Sequence, residues 1–183
     1  MGHDGHEHEH HHHPHESEAS AEHKRHAPAQ VAAFVITCSD SRTEPEDASG
    51  ASIVALLEGA GHSIAGRRVV QDDVAAIQAA LREACASGAR AVIINGGTGI
   101  GRRDSTVEAV ESLFEKRLPG FGELFRALSF RDIGSAAMMS RATAGTFEGL
   151  VVFALPGSPQ AVKLALEALI LPELGHAVRE LTR

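Results

Sequence analysis

The sequence predicts an α/β protein with a mostly parallel sheet covered on both faces by helices. Three observations carry this expectation. Continuous apolar runs at residues 31–39, 89–95 and 149–156 read as strands buried on both sides. Between them lie segments with apolar residues at spacings of three and four, the mark of amphipathic helices. Glycines and polar clusters separate the two kinds of segment, as strand–helix alternation requires.

The elements follow in order. Residues 31–39 (VAAFVITCS) form the first strand, ended by a polar cluster. Residues 49–60 form a helix with Ile53, Leu56, Leu57 and Ala60 on one face, and Gly61 ends it. Residues 62–70 read as a second, more polar strand. Asp72 or Asp73 can cap the next helix, whose stripe is Val74, Ile77, Leu81, Ala84 and Cys85, with Gly88 closing it. A third strand spans 89–95, and a Gly-rich segment leads into a helix over about 105–116. Two short helices are expected around 121–130 and 134–141, then a strand at 149–156. Pro159 suits a helix first turn, and the final helices run to Leu181 around Pro172.

Composition sets further bounds. The 183 residues allow one domain and a tail, with residues 1–27 as a disordered, His-rich tail and 28–183 as the domain. Ten of the 12 histidines lie in residues 1–26, a stretch almost without apolar residues. Neutral imidazoles bind Zn, Ni or Cu readily, so this tail is a candidate metal-buffering segment, or a solvated tail with no such role. The net charge is -7, of which the tail holds six acids and two bases. The body lacks the basic excess of a nucleic-acid binder. The core must be aliphatic, because aromatics are 4% and Trp and Tyr are absent. Cys38 and Cys85 form no CxxC pair and read as small apolar residues in a reduced, cytoplasmic protein. No apolar run reaches the ~20 residues of a membrane span, and the polar start does not resemble a secretory signal.

In open α/β sheets ligands bind where strand ends enter loops. Three polar segments meet this condition: residues 39–50, 96–106 and 156–159, with Gln71, Asp72 and Asp73 as a fourth. The GGTGIG loop is the sharpest of these. Its glycines permit close approach of an anion, the helix after Asp104 offers unpaired amides, and Arg102 and Arg103 add charge. It is neither a dinucleotide-binding fingerprint, which needs Gly where Arg102 stands, nor a P-loop, which needs Lys–Ser/Thr after Gly101. Asp104 and Asp72 can each be a helix cap or hold a divalent cation or substrate. Ser39, Asp40, Ser41 and Arg42 form either a turn or a polar wall, and Pro156, Gly157, Ser158 and Pro159 leave the same choice open. His62 and His176 fall outside every candidate loop, which argues against a Ser–His–Asp mechanism. Phosphoryl or nucleotidyl transfer needs no histidine.

VITCSDSR, the DxSG at 47–50, NGGTGIGRRDST, GFGELFRALSF, IGSAAMMSRATAG and FALPGSP occur in this order. Together they resemble the molybdopterin-binding proteins of the MoaB/Mog family, related to the G domain of gephyrin, over about residues 30–179. The resemblance implies a three-layer αβα sandwich, assembled as a homotrimer or homohexamer. It implies molybdopterin as ligand and, in active members, ATP and Mg²⁺ as substrate and activator for adenylylation. The product is then ready for a molybdate-insertion protein. It casts Asp104 as an essential catalytic aspartate that also holds Mg²⁺, and Asp72 as a second one. Ser39, Asp40, Asp47, Ser49 and Gly50 match the first binding loop. Gly96, Gly97, Thr98 and Gly99 match the phosphate cradle, Ser105 is taken as a further substrate- or nucleotide-binding residue, and Pro156, Gly157 and Ser158 match a third wall. Val107 stands where Pro is frequent in the family. A non-catalytic molybdopterin-binding carrier or scaffold is the alternative.

Overall fold

A computed structural model describes residues 27–41 and 43–183. The His-rich tail and Arg42 lie outside the described residues. Six strands form one sheet: β1 (Ala32–Cys38), β2 (Ser63–Val70), β3 (Ala91–Asn95), β4 (Lys116–Arg117), β5 (Thr143–Phe147) and β6 (Leu150–Leu155). Their order is β2-β1-β3-β6-β5-β4. The first four are parallel, and β5 and β4 complete one edge antiparallel. The helices are α1 (Ala48–Gly59), α2 (Val74–Ala86), α3 (Thr106–Glu111), α4 (Pro119–Ile133), α5 (Pro159–Ala165) and α6 (Leu171–Leu181).

Strand alternation sends successive side chains into two separate cores. Ala33 and Val35 of β1 pack with Ile53 and Leu57 of α1, Phe125 of α4 and Leu166 and Leu174 near the C-terminus. Phe34, Ile36 and Cys38 pack on the other face with Ile77 and Leu81 of α2 and Val110 of α3. The expected three-layer αβα sandwich is therefore the observed one, and each core combines the expected aliphatic side chains with buried phenylalanines, Phe121, Phe125 and Phe153 on one side and Phe34 and Phe147 on the other.

Several details differ from the sequence expectation. The helix after the Gly-rich segment has only six residues, because Glu115 leaves it to donate its amide to Thr146 at 2.9 Å and start β4. The middle helix is a single 15-residue element that ends at Gly134, φ 62°, followed by a 3-10 stretch (Gly134–Met139). Strand β5 was not expected. It joins β6 through Glu148 and Gly149, both at positive φ, the two-residue turn that suits strand twist. Val74 lies on the predicted stripe yet is 39% exposed; the buried stripe is Ile77, Ala80, Leu81 and Ala84. The C-terminal helices run on through a π turn (Leu166–Ile170). That widening sits just before Pro172, whose ring would clash with the carbonyl of residue 168 in a regular helix.

Register places the site. Cys38 pairs with Val70, Thr37 with Asn95, and Asn95 with Leu155, so four parallel strands end at one level. All four candidate loops therefore leave the same edge of the sheet. At the opposite edge, buried His62 accepts the Val31 amide on Nδ1 at 3.2 Å. Burial holds its pKa below the ordinary 6.5. The native state thus favours the neutral ring, so its contribution is complete above pH 6.5 and lost as pH falls below it. Thermal unfolding of His62→Asn, whose amide oxygen can still accept the Val31 amide, is expected to show a weaker decline between pH 7 and 5 than the parent; an equal decline would rule His62 out as a cause.

Candidate functional site

The loops after β1, β3 and β6 meet in one cavity of about 740 Å³. Its lining includes Ser39, Gly96, Gly97, Thr98, Gly99 and Asp104, with Pro156, Gly157 and Ser158 opposite. Phe125, Ser129 and Ile133 of α4 and Met139 and Ser140 beyond it form a further, largely apolar wall. The floor is built by close backbone approach. Gly96 has φ 92°, and a Cβ there would overlap the carbonyl of Cys38. A Cβ on Gly157 would come within 3.1 Å of the Gly96 Cα. Two loops 61 positions apart can touch only because both residues lack side chains.

The Gly-rich loop is held at its ends and open in its middle. The Gly96 amide donates to Leu155 at 3.1 Å, and the Thr106 amide donates to Gly97 at 3.0 Å. Among the described residues, the amides of Gly97, Thr98 and Gly99 have no hydrogen-bond acceptor. Consecutive unspent amides beside a cavity form a receptor for an anion's oxygens. The six-residue α3 adds little dipole, so the loop amides carry this capacity rather than the helix end.

Asp104 does not cap α3. Ser105 is the cap residue, and Asp104 turns back so that its Oδ2 accepts the Gly101 amide at 2.7 Å. Asp72 also differs from its expected place. It is absent from the cavity lining, and its Oδ1 accepts both the Ser105 amide and the Ser105 hydroxyl at 2.9 Å. Asp73, its neighbour, caps α2 by accepting the Ala76 amide at 3.0 Å. Asp40 supports Asp72 in turn, accepting its amide at 3.2 Å, and pairs with Arg103. Asp72, Asp40 and Ser105 thus form a brace behind the loop.

Asp47, Ser49 and Gly50 also stand outside the lining. Asp47 is buried and fully engaged. Its Oδ2 accepts Thr37 at 2.6 Å and Arg67 at 2.8 Å, while Oδ1 accepts the Gly50 amide at 2.8 Å and caps α1. Burial alone would raise its pKa, but the hydrogen bonds from Thr37, Arg67 and Gly50 outweigh it and hold the carboxyl below its ordinary value. Asn95 extends this network by donating to Thr37 at 2.8 Å. The Ser49 hydroxyl donates to the Gly157 carbonyl at 2.9 Å, so α1 fixes the third wall. Gly50 is required because a Cβ there would overlap the Asp47 carboxylate.

Cys38 lines the cavity, but burial pushes its thiol up to about 12, so it is not a nucleophile at neutral pH. Half-buried Cys85 is likewise raised, chiefly by burial. Sequence reasoning missed two contributors. The α4 wall gave no signal beyond an apolar helix. Arg141, which donates to the carbonyls of Thr98 at 3.3 Å and Asp104 at 3.2 Å, meets partners about 40 positions upstream, which no local pattern reveals.

The family described as a probable molybdopterin binding domain matches residues 34–176. Molybdenum cofactor biosynthesis protein B of Bacillus subtilis (strain 168) is 52% identical over 164 residues, which cover 88% of this chain and 96% of that protein. A crystal structure of a molybdenum cofactor biosynthesis protein B superposes with TM-score 0.83 at 49% identity, covering 86% of this chain and 99% of that one. The tungsten cofactor synthesizing protein MoaB from Pyrococcus furiosus gives TM-score 0.79 at 41% identity, covering 86% and 100%.

Proposed function

Because this chain belongs to the MoaB/Mog family of molybdopterin-binding proteins, we propose that it serves molybdenum cofactor biosynthesis by binding molybdopterin in the strand-end cavity and adenylylating it with ATP. The observation that carries this reading is the set of unspent amides at Gly97, Thr98 and Gly99, in one cavity with Asp104 and the Gly157 wall. An oxygen of the pterin's terminal phosphate attacks the α-phosphorus of ATP. A new P–O bond forms, the bond from the α-phosphorus to the bridging oxygen breaks, and pyrophosphate leaves. Catalysis of this kind is mostly positioning and charge stabilisation. The loop amides hold phosphate oxygens, Asp104 stands at the reacting groups, and Asp72 and Asp40 hold the loop from behind.

Among the described residues no cluster of three acidic, His or Cys side chains could cage a metal ion. Asp104 is the sole carboxylate among the cavity-lining residues, and one carboxylate plus nucleotide phosphates is a donor set that Mg²⁺ accepts. When bound there, Mg²⁺ neutralises phosphate charge. The proposed assembly is a homotrimer or homohexamer. Exposed Leu124, Phe130, Ile133, Met138 and Met139 on and after α4 give it an apolar face to cover. The product suits a downstream protein that inserts molybdate.

The test is pyrophosphate release from the full chain with molybdopterin, ATP and Mg²⁺. Asp104→Asn is expected to lower turnover by roughly 10²-fold or more while the protein remains folded. Undiminished turnover in Asp104→Asn would overturn the catalytic role of this residue. Tight molybdopterin binding by the parent without pyrophosphate release would identify a carrier instead.

A further inference from the structure

We propose that Arg141 is a positioning residue for this site, holding the Gly-rich loop in the shape that presents Asp104 and the loop amides to the ligand. The proposal rests on the cavity being the molybdopterin site. Its basis is three bonds made by one side chain. Nε donates to the Thr98 carbonyl at 3.3 Å, and one terminal nitrogen donates to the Asp104 carbonyl at 3.2 Å. The other terminal nitrogen pairs with Glu108 in the first turn of α3. A single planar group therefore ties the cavity-lining start of the loop, its end, and the helix that follows.

The loop needs such a tie. Residues 96–101 include four glycines, which cost the most conformational entropy to order. Among the described residues, the backbone–backbone bonds that hold residues 97–104 are from the Asp104 amide to Gly101, at 3.1 Å, and from the Thr106 amide to Gly97, at 3.0 Å. Arg141 is itself well anchored. Arg126 of α4 donates to the carbonyls of Ser140 and Ala142, on either side of it, at 3.5 and 3.3 Å. The close packing of α4 on this segment depends on Gly122, where a Cβ would crowd the Ala142 carbonyl. Two arginines in series thus connect the α4 wall to the loop facing it, and Ser140 between them lines the same cavity.

The planar guanidinium is what the geometry uses, since a lysine ammonium cannot span three acceptors fixed in these directions. Arg141→Lys and Arg141→Gln in the full chain separate this role from a simple charge. In ligand-free protein, hydrogen exchange at the bonded amides of Gly101, Asp104 and Thr106 is expected to quicken about tenfold in both variants, with the central strands unchanged. Unchanged exchange at those amides would overturn the proposal. Molybdopterin is expected to bind roughly 10- to 30-fold more weakly to both variants. Parental affinity in Arg141→Lys with loss only in Arg141→Gln would mean that the charge acts directly on the ligand, and would overturn it too. Combined with Asp104→Asn, Arg141→Lys should add less than its separate effect, because the two act as one unit; full additivity argues the other way. A parent chain that fails to bind molybdopterin sinks the functional reading above, while hydrogen exchange still decides whether Arg141 holds the loop.

Discussion

Gly96→Ala is expected to cost roughly 3–5 kcal/mol of stability and to abolish ligand binding. Gly96 sits at φ 92°, where an L side chain is strained, and the new Cβ would overlap the Cys38 carbonyl. That carbonyl belongs to backbone at the end of β1, so it cannot swing aside as a flexible side chain would. Relief requires the end of β3 to move off β1 or off the Gly157 turn, both of which shape the cavity. At about 2–4 °C per kcal/mol for a chain of this size, the thermal midpoint should fall by roughly 6–20 °C. Gly61→Ala is the control. Its φ of 86° imposes similar strain, but a Cβ there meets open space and the site is distant. If Gly96→Ala lowers the midpoint no further than Gly61→Ala does, close packing at this point has been overestimated.

Asp47→Ala should be nearly as damaging, although Asp47 does not line the cavity. The change strips the Arg67 guanidinium of its carboxylate, removes the acceptor for the buried Thr37 hydroxyl, and takes the cap from α1. Asp47 is buried but Arg67 is 23% exposed and keeps its bond to the Asp47 carbonyl, so breaking the pair costs less than the about 3–5 kcal/mol of a fully buried one, and loss of the N-cap adds about 1. Asp47→Asn keeps oxygen for one of these bonds and should fall between. The pH response follows from the depressed pKa. Asp47 stabilises the fold above its ordinary value of 3.8, and that contribution is lost as pH falls through the lower native value. In urea titrations the parent should therefore lose its advantage over Asp47→Ala on strong acidification. A constant difference from pH 7 to pH 2 would show that the carboxylate charge contributes nothing. Because α1 presents Ser49 to the Gly157 carbonyl, ligand affinity should weaken with stability.

These two residues mark where sequence reading succeeds and where it stops. Gly96 was legible as part of the Gly-rich loop at a strand end, while the choice between a phosphate cradle and a structural turn came from the family resemblance and not from the glycines themselves. Asp47 was legible as important but was placed on the ligand, because its structural partners Thr37 and Arg67 lie 10 and 20 positions away. Asp72 shows the same limit. A helix cap and a ligand were both readable options, yet Asp73 took the cap and Asp72 the Ser105 hydroxyl 33 positions on. Strand β5 could have been found from Glu148–Gly149 between apolar runs. Strand β4 could not, because two exposed residues, Lys116 and Arg117, carry no alternation.

By itself the sequence determined the strand–helix layering, where along the chain each parallel strand ends, and the glycines at those ends. These follow from local periodicity and backbone freedom, which are written residue by residue. Only the tertiary structure decided which polar side chains face the cavity and which brace it from behind. Burial and hydrogen-bond partnership depend on residues brought together from across the chain, and an aspartate reads the same in either place until its neighbours are known.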